Sequence, residues 1–530
     1  MSVLGRTLPT AAVVAALVGG MLATAPAHAV VGGGTATTPE WMVQIHATQP
    51  DGTVRICGGA AVGAHKVVTS AGCVTGAKSV LLAADTTSLL AETEMDPEGA
   101  ETNASAVKRT WTASGYDAAT GRDDIAVLTT RDPLHTARFV QPAASWDPSA
   151  DIPGMVGAFE GWGSTSGDSK TPNSNLRKAT LQIRPESECA EAAGAAWTPG
   201  RMFCTTPPPP DQETGGGTPC TGDEGGPLVV NGRLVGVYSR PTGSSCTAEG
   251  SRAVFTRVSA LIGQMNPRIY DTDLSGDGLA DLFAMTPAGQ RYEYDSTGNG
   301  LKPRRQWPTL SEPYSRYRQV DVDRDGFQDY VYRTASGDLY QSYDVYAYEG
   351  WGNWIHDRYE SKIGHGWNSM RSITMPGDVN GDDIPDIVAV DGDGVQWIYA
   401  FRPGTGGQGI SGRWKSGTGW AGYTIFGSGD YTGDGKPDLL ARDTAGRLWI
   451  YKGTGKGLTP WQTRAQVGSS GWNYTAYAAS GDTDGDGKAD FYARDSAGYL
   501  WLYKGTGNAS APFQNRVKIG GGWNIYSLIS

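Results

Sequence analysis

The residues best placed to do chemistry in this chain are aspartates. The pattern D-x-[DNST]-x-D-[GD]-x-x-D begins at Asp273, Asp321, Asp378, Asp430 and Asp482, at spacings of 48, 57, 52 and 52 residues. Side chains at positions one, three, five and nine, with the backbone carbonyl at seven, would set hard oxygen ligands around a tight turn, as calcium prefers. The ligands so predicted are Asp273, Ser275, Asp277 and Asp281 in the first loop and Asp321, Asp323, Asp325 and Asp329 in the second. They continue as Asp378, Asn380, Asp382 and Asp386, then Asp430, Thr432, Asp434 and Asp438, then Asp482, Asp484, Asp486 and Asp490. Asp383 stands where the other loops have glycine, which makes the third site the weakest. No glutamate occupies position twelve and the flanks read as strands, so these are not EF-hands. The alternative is that the aspartates cap turns through Asx bonds. Three or four carboxylates crowded into each loop would repel one another without a cation. That favours structural Ca²⁺, up to five ions, whose ten charges would nearly offset the formal charge of −11.

A second locus is Cys220-Thr221-Gly222-Asp223-Glu224-Gly225-Gly226-Pro227. It closely resembles the C-x-G-D-S-G-G-P signature of chymotrypsin/trypsin-family serine proteases, with glutamate in place of the nucleophilic serine. Val68-Thr69-Ser70-Ala71-Gly72-Cys73 resembles that family's T-A-A-H-C, with Gly72 in place of the general base. Asp124-Ile125-Ala126-Val127-Leu128 resembles the aspartate motif. Acyl transfer by this route needs a hydroxyl or thiol to attack and an imidazole to take its proton. Glu224 and Gly72 supply neither, so a pseudoprotease is expected, with no catalytic residue among Gly72, Asp124 and Glu224. Neither His65 nor His46 is expected to replace the base; His65 lies seven residues before Gly72, on the preceding strand, and would need another backbone path to reach Asp124. Glu224 is expected to plug the oxyanion hole, whose amide donors attract negative charge. The resemblance implies the disulfides Cys57–Cys73, Cys189–Cys204 and Cys220–Cys246, where six cysteines alone would permit fifteen connectivities. It also implies that cleavage after Ala29, exposing Val30-Val31-Gly32-Gly33, lets the Val30 α-ammonium pair with Asp223. Arg240, in Val237-Tyr238-Ser239-Arg240, is expected to fill the substrate groove.

The elements that position these groups are strands. Residues 1–29 hold Arg6, an apolar run over 11–25 and Ala27-His28-Ala29, the layout of a secretory signal peptide. The run is too short for a membrane span, so a secreted, extracellular protein with no membrane span is expected. All six cysteines lie between residues 57 and 246, consistent with an oxidising compartment. The net negative charge argues against nucleic acid as a partner. Residues 30–267 carry the trypsin-like resemblance. Over 268–530 each acidic loop is followed by two short strands, as in Leu439–Asp443 and Leu448–Tyr451 around a Gly446 turn, the mark of a hairpin. Gly366-Trp367, Gly419-Trp420, Gly471-Trp472 and Gly522-Trp523 each open a further strand. Periods near 50 residues point to propellers. The last Gly-Trp strand, 523–529, has no loop after it and is expected to complete the first blade. The fold class is thus all-β: a trypsin-like double β-barrel followed by a five-bladed β-propeller.

The repeats resemble FG-GAP/VCBS-type repeats, and Ile363-Gly364-His365-Gly366-Trp367 resembles an element of tachylectin-type sugar-binding propellers. Twelve of the 17 tryptophans lie beyond residue 300, suited to packing between blades or to binding sugars. The two halves together resemble the lectin-bearing subunits of actinobacterial umbrella toxin particles. That resemblance implies a non-catalytic targeting subunit: a protein partner docks in the former active-site cleft, and the propeller binds a cell-surface glycan or other surface ligand. The alternatives are a free-standing secreted lectin or adhesin and, more distantly, a trypsin-like peptidase.

Overall fold

The computed structural model describes residues 30–530 except 97–103, 137, 144–150, 168, 210–216, 271, 311, 324–327, 351–352, 383 and 403–408. The signal peptide expected over 1–29 lies outside the described residues, as do Asp325 and Asp383.

Strands Met42–Thr48, Val54–Gly63, Lys66–Thr69, Ser79–Ala84, Ala104–Thr112 and Ala126–Thr130 close into a barrel. Their alternate residues, among them Val43, Ile45, Leu82 and Leu128, are fully buried inside it. A second barrel of six strands closes because Val156–Gly161 pairs with both Arg177–Ile183 and Pro227–Val230. Met202–Thr206, Arg233–Pro241 and Ala253–Arg257 complete it. Phe159, Phe203, Tyr238 and Phe255 fill its interior, the last pair of phenylalanines stacked with ring centroids 5.5 Å apart. Closure of both sheets leaves no long unpaired edge among the described residues.

The helix Ile262–Ile269 follows and buries Ile262, Met265 and Ile269 against Val127, Leu234 and Val237. It runs two residues past the boundary expected at 267.

Beyond it stand five four-stranded antiparallel sheets. Blade one has Leu282–Met285, Arg291–Tyr294 and Arg305–Gln306; blade two has Arg316–Val320, Asp329–Arg333, Leu339–Gly350 and Asn353–Gly364. Blade three has Met370–Gly377, Asp386–Asp391, Gln396–Phe401 and Ile410–Gly417; blade four has Thr424–Phe426, Leu439–Arg442, Leu448–Tyr451 and Ala465–Gly468. Blade five has Ala476–Gly481, Asp490–Arg494, Leu500–Tyr503 and Val517–Gly520. The C-terminal strand Leu528–Ile529 joins blade one, pairing Ala284 with Ile529 and Met285 with Leu528. The last strand is shorter than its expected 523–529. Gly522 adopts φ 87° and Trp523–Ile525 forms a 3₁₀ turn that tucks the indole beneath the sheet before pairing begins.

The two halves are in direct contact. Lys108 donates to the Gly276 carbonyl at 2.8 Å and Arg109 to that of Gly278 at 3.2 Å. Arg268, near the end of the connecting helix, reaches into the fifth acidic loop, where its Nη1 lies 2.6 Å from Asp482.

Candidate functional site: the interbarrel cleft and the acidic loops

Where the two barrels meet, a cleft of about 610 Å³ is lined by residues that include Arg55, Gly72, Tyr116, Asp124, Glu224 and Arg240. The first barrel brings Gly72, on the short helix Ala71–Val74, next to Asp124; the glycine amide donates to Asp124 Oδ1 at 2.7 Å. The second barrel brings Ser239, whose hydroxyl donates to Asp124 Oδ2 at 2.6 Å. Burial pushes the Asp124 carboxyl up, and these bonds partly offset it. Both oxygens are therefore satisfied without an imidazole. Space for one is restricted as well, because a Cβ on Gly72 would stand 3.0 Å from the Tyr116 hydroxyl. Arg55 donates to the Gly72 carbonyl from the cleft side.

Glu224 folds back on its own turn. Its Oε2 accepts from the Gly222 amide at 2.7 Å, and its own amide also bonds the carboxylate. These are the two donors that would make an oxyanion hole in this turn, so the carboxylate fills it. Burial raises the Glu224 carboxyl, with Arg55 and the two amides opposing. Asp223 points the other way, fully buried, accepting from Gly163 at 2.7 Å and Cys220 at 2.9 Å. With burial as the main cause, its carboxyl is pushed up to about 7. Val30 is fully buried in the same barrel's core.

The disulfides join Cys57–Cys73, Cys189–Cys204 and Cys220–Cys246. His65 faces Thr130, 3.3 Å from its carbonyl, and His46 sits beside Gln44 at 3.5 Å, its imidazole pushed down to about 4 by burial. Neither lines the cleft. Arg240 does, but its guanidinium crosses to the carbonyls of Ala119 and Thr120. Tyr238 donates its amide to the Gly226 carbonyl and accepts from the Gly225 amide, so its backbone is already paired along the cleft. Sequence reasoning missed Tyr116 and Arg55, whose neighbours in sequence carry no motif, and the role of Ser239.

In the acidic loops the aspartate at position nine, Asp281, Asp329, Asp386, Asp438 or Asp490, is 0% exposed in every case. Burial and the neighbouring carboxylates raise Asp281 to about 8 and push Asp386, Asp438 and Asp490 well up. Three loops bring three carboxylates within 4.8 Å of one another: Asp321, Asp323 and Asp329; Asp430, Asp434 and Asp438; and Asp482, Asp484 and Asp490. Buried carboxylates so close must be protonated or neutralised by a cation. These donor sets fit calcium.

The first and third loops differ. In the first, Asp273 accepts from the amides of Ser275, Asp277 and Gly278, as Asp430 and Asp482 accept from theirs, but Asp277 meets Lys302 at 3.2 Å. Asp281 converges instead with Glu293 and Asp295, beside Arg305. Glu293 was missed, although it pairs where the corresponding strands carry Ile398, Ile450 and Leu502, and an acid among aliphatics is a readable signal. In the third loop the Asn380 amide nitrogen lies 3.0 Å from Asp382 and 2.8 Å from Asp386, a donor where a cation would bridge. In the fifth, Arg268 pairs with Asp482, Lys504 with Asp484 at 3.0 Å and Lys488 with Asp486 at 2.9 Å. Protein cations already serve that loop.

No described helix is long and apolar enough to cross a membrane. A family model described as Trypsin matches residues 30–263, and one described as FG-GAP-like repeat matches 378–441 and 430–493. The chain is 32% identical over 241 residues to a trypsin of Saccharopolyspora erythraea, covering 45% of this chain and 98% of that protein. It is 31% identical to serine protease 56 of Mus musculus, covering 46% of this chain but 39% of that one. To trypsin alpha-4 of Lucilia cuprina it is 30% identical over 43% of this chain and 83% of the other.

Proposed function

We propose that this chain, which belongs to the trypsin family through its N-terminal domain, is a secreted, non-catalytic targeting subunit: its cleft docks a partner protein and its propeller binds a surface glycan. The observation that carries the first part is Glu224. A carboxylate in place of a nucleophilic hydroxyl, bonded to the Gly222 amide at 2.7 Å, removes the attacking group and fills the hole that would stabilise an oxyanion. Gly72 and the engaged oxygens of Asp124 leave no base beside it. What persists is a shaped cleft that an extended segment of another protein could enter without being cut. Removal of a signal peptide before Val30 would create the ammonium that pairs with Asp223.

In the propeller, Asp321, Asp323 and Asp329, together with Asp430, Asp434 and Asp438, would hold structural Ca²⁺. Bound there, the ion supplies positive charge that lets buried carboxylates remain ionised. The fifth loop, served by Arg268 and Lys504, needs it least. The pairing of such a cleft with such a propeller supports membership of a secreted antibacterial complex.

The test is to purify the mature protein from culture medium and identify what co-elutes, alongside Thr221→Arg and Lys170→Glu variants at the cleft wall. The docking reading expects a stoichiometric partner that both variants release while glycan binding persists. A wild-type protein that elutes alone supports a free-standing lectin. Stoichiometric labelling by a fluorophosphonate would end the non-catalytic reading.

A further inference from the structure

Four of the five blades fill one position in the same way. On the third strand stand Tyr294, Tyr399, Tyr451 and Tyr503, paired across the ladder with Leu282, Ile387, Leu439 and Phe491. Against each rests the tryptophan of a Gly-Trp turn. The ring centroids lie 4.7 Å apart for Tyr294 and Trp523, 4.6 Å for Tyr399 and Trp367, and 4.8 Å for both Tyr451–Trp420 and Tyr503–Trp472. Each tryptophan is placed by its amide, which donates to a turn glycine of the preceding blade: Gly498, Gly337, Gly394 or Gly446.

Blade two breaks the pattern at both positions. The residue paired with Tyr330 at the tyrosine position is Ser342, and the residue whose amide bonds the turn glycine, Gly289, is Leu310. Two large rings are thereby replaced by a hydroxymethyl and an isobutyl group. Ser342 lines a cavity of about 340 Å³, within the roughly 300–1,000 Å³ range of small-ligand sites.

Its walls are built for a ring with polar edges. Tyr314 and Tyr332 stack at 4.1 Å, and Tyr317 stacks on Tyr330 at 5.2 Å. The Tyr317 hydroxyl, on a side chain 2% exposed, has no hydrogen-bond partner among the described residues. A buried hydroxyl left unbonded is costly, so a ligand that bonds it is favoured. Two guanidiniums flank the opening: Arg291 over Trp307 at 5.5 Å and Arg358 over Tyr330 at 4.5 Å. Arg291 spends its Nε on the Pro308 carbonyl. Glu360 is the one carboxylate on the lining, so the cavity is net positive.

We propose that this gap between blades one and two is a single, non-repeated pocket for an acidic sugar. The pyranose face would lie on the tyrosines, a ring hydroxyl would bond Tyr317, and the carboxylate would meet Arg291 and Arg358. The assignment rests on the reading that the propeller binds a glycan, and it narrows that reading to one site and one charge class.

The experiment titrates the full-length mature protein with glucuronic acid and with glucose, read by saturation-transfer NMR, after a screen on a glycan array. Saturable binding of glucuronic acid is expected, weakened about tenfold or more by Arg358→Met through loss of the charge-assisted bond. Ser342→Tyr, which restores the residue of the other blades, should abolish it, while Ser342→Ala preserves it. Equal binding of glucose and glucuronic acid overturns the charge class. Binding unaffected by both Ser342→Tyr and Arg358→Met overturns the pocket and leaves the glycan reading intact. A wild-type protein silent on the whole array overturns the glycan reading and the pocket with it. Should Ser342→Tyr misfold, Arg358→Met and Trp307→Leu carry the test.

Discussion

At the scale of single residues, two substitutions do more than remove catalytic groups. Tyr116 closes over Gly72, and Glu224 closes over its own turn. Restoring both groups by Gly72→His and Glu224→Ser should therefore recover little ester hydrolysis, because the histidine is displaced by the Tyr116 hydroxyl. Adding Tyr116→Ala should raise turnover by about a hundredfold, the usual penalty for a misplacement of about 1 Å. Equal turnover in the double and triple variants would show that Tyr116 is no obstacle. Asp223 gives a pH prediction. Its carboxyl is raised from 3.8 to about 7 in the uncleaved chain, so the folded state binds the proton more tightly than the unfolded one. Stability of the uncleaved form should then fall as pH rises between about 4 and 7, by up to about 1.4 kcal/mol per pH unit. Cleavage before Val30 should flatten that slope by supplying an ammonium. Chemical denaturation of both forms at pH 5 and pH 7 measures it, and parallel slopes would refute the clasp.

At the scale of elements, the acidic loops are where the proposed Ca²⁺ would meet the blades. An ion bound only by the folded propeller stabilises it by RT ln(1 + [L]/Kd), about 2.7 kcal/mol at a hundredfold excess. Chelation should lower the melting temperature of the propeller and spare the disulfide-linked barrels. Asp438→Asn sharpens the test, since it removes a buried charge as well as a ligand. In chelator the variant should equal or exceed wild type; in calcium it should gain less than wild type. A calorimetric trace indifferent to calcium in both proteins would mean that Asx turns alone account for the loops.

At the scale of the whole molecule, the connecting helix locks one half onto the other. Arg268 is 4% exposed and Asp482 nearly fully buried, 2.6 Å apart. Removing one partner of such a pair costs about 3–5 kcal/mol because the other charge stays buried and unpaired. Arg268→Met should thus destabilise the propeller and lower the temperature of its calorimetric transition relative to that of the barrels. Double replacement with Asp482→Asn should recover part of the loss. If the single variant melts as wild type does, the contact contributes nothing to the joint.

The sequence by itself determined what is written in spacing along the chain. The loop period near 52 residues announced the blades, and Asp124 and the Cys220–Pro227 segment announced the barrels. The unmatched strand before the C-terminus announced the closure onto Leu282–Met285. These signals are local or periodic, so they survive without coordinates. Only the tertiary structure decided which distant groups meet. Tyr116 opposite Gly72, Ser239 on Asp124, Glu293 drawn toward Asp281 and Arg268 set in the fifth loop all join residues from separate strands or separate domains. The cavity beside Ser342 is of the same kind. Each residue is unremarkable in its own segment, and the register of one blade places Ser342, on the cavity wall, where four other blades place tyrosine.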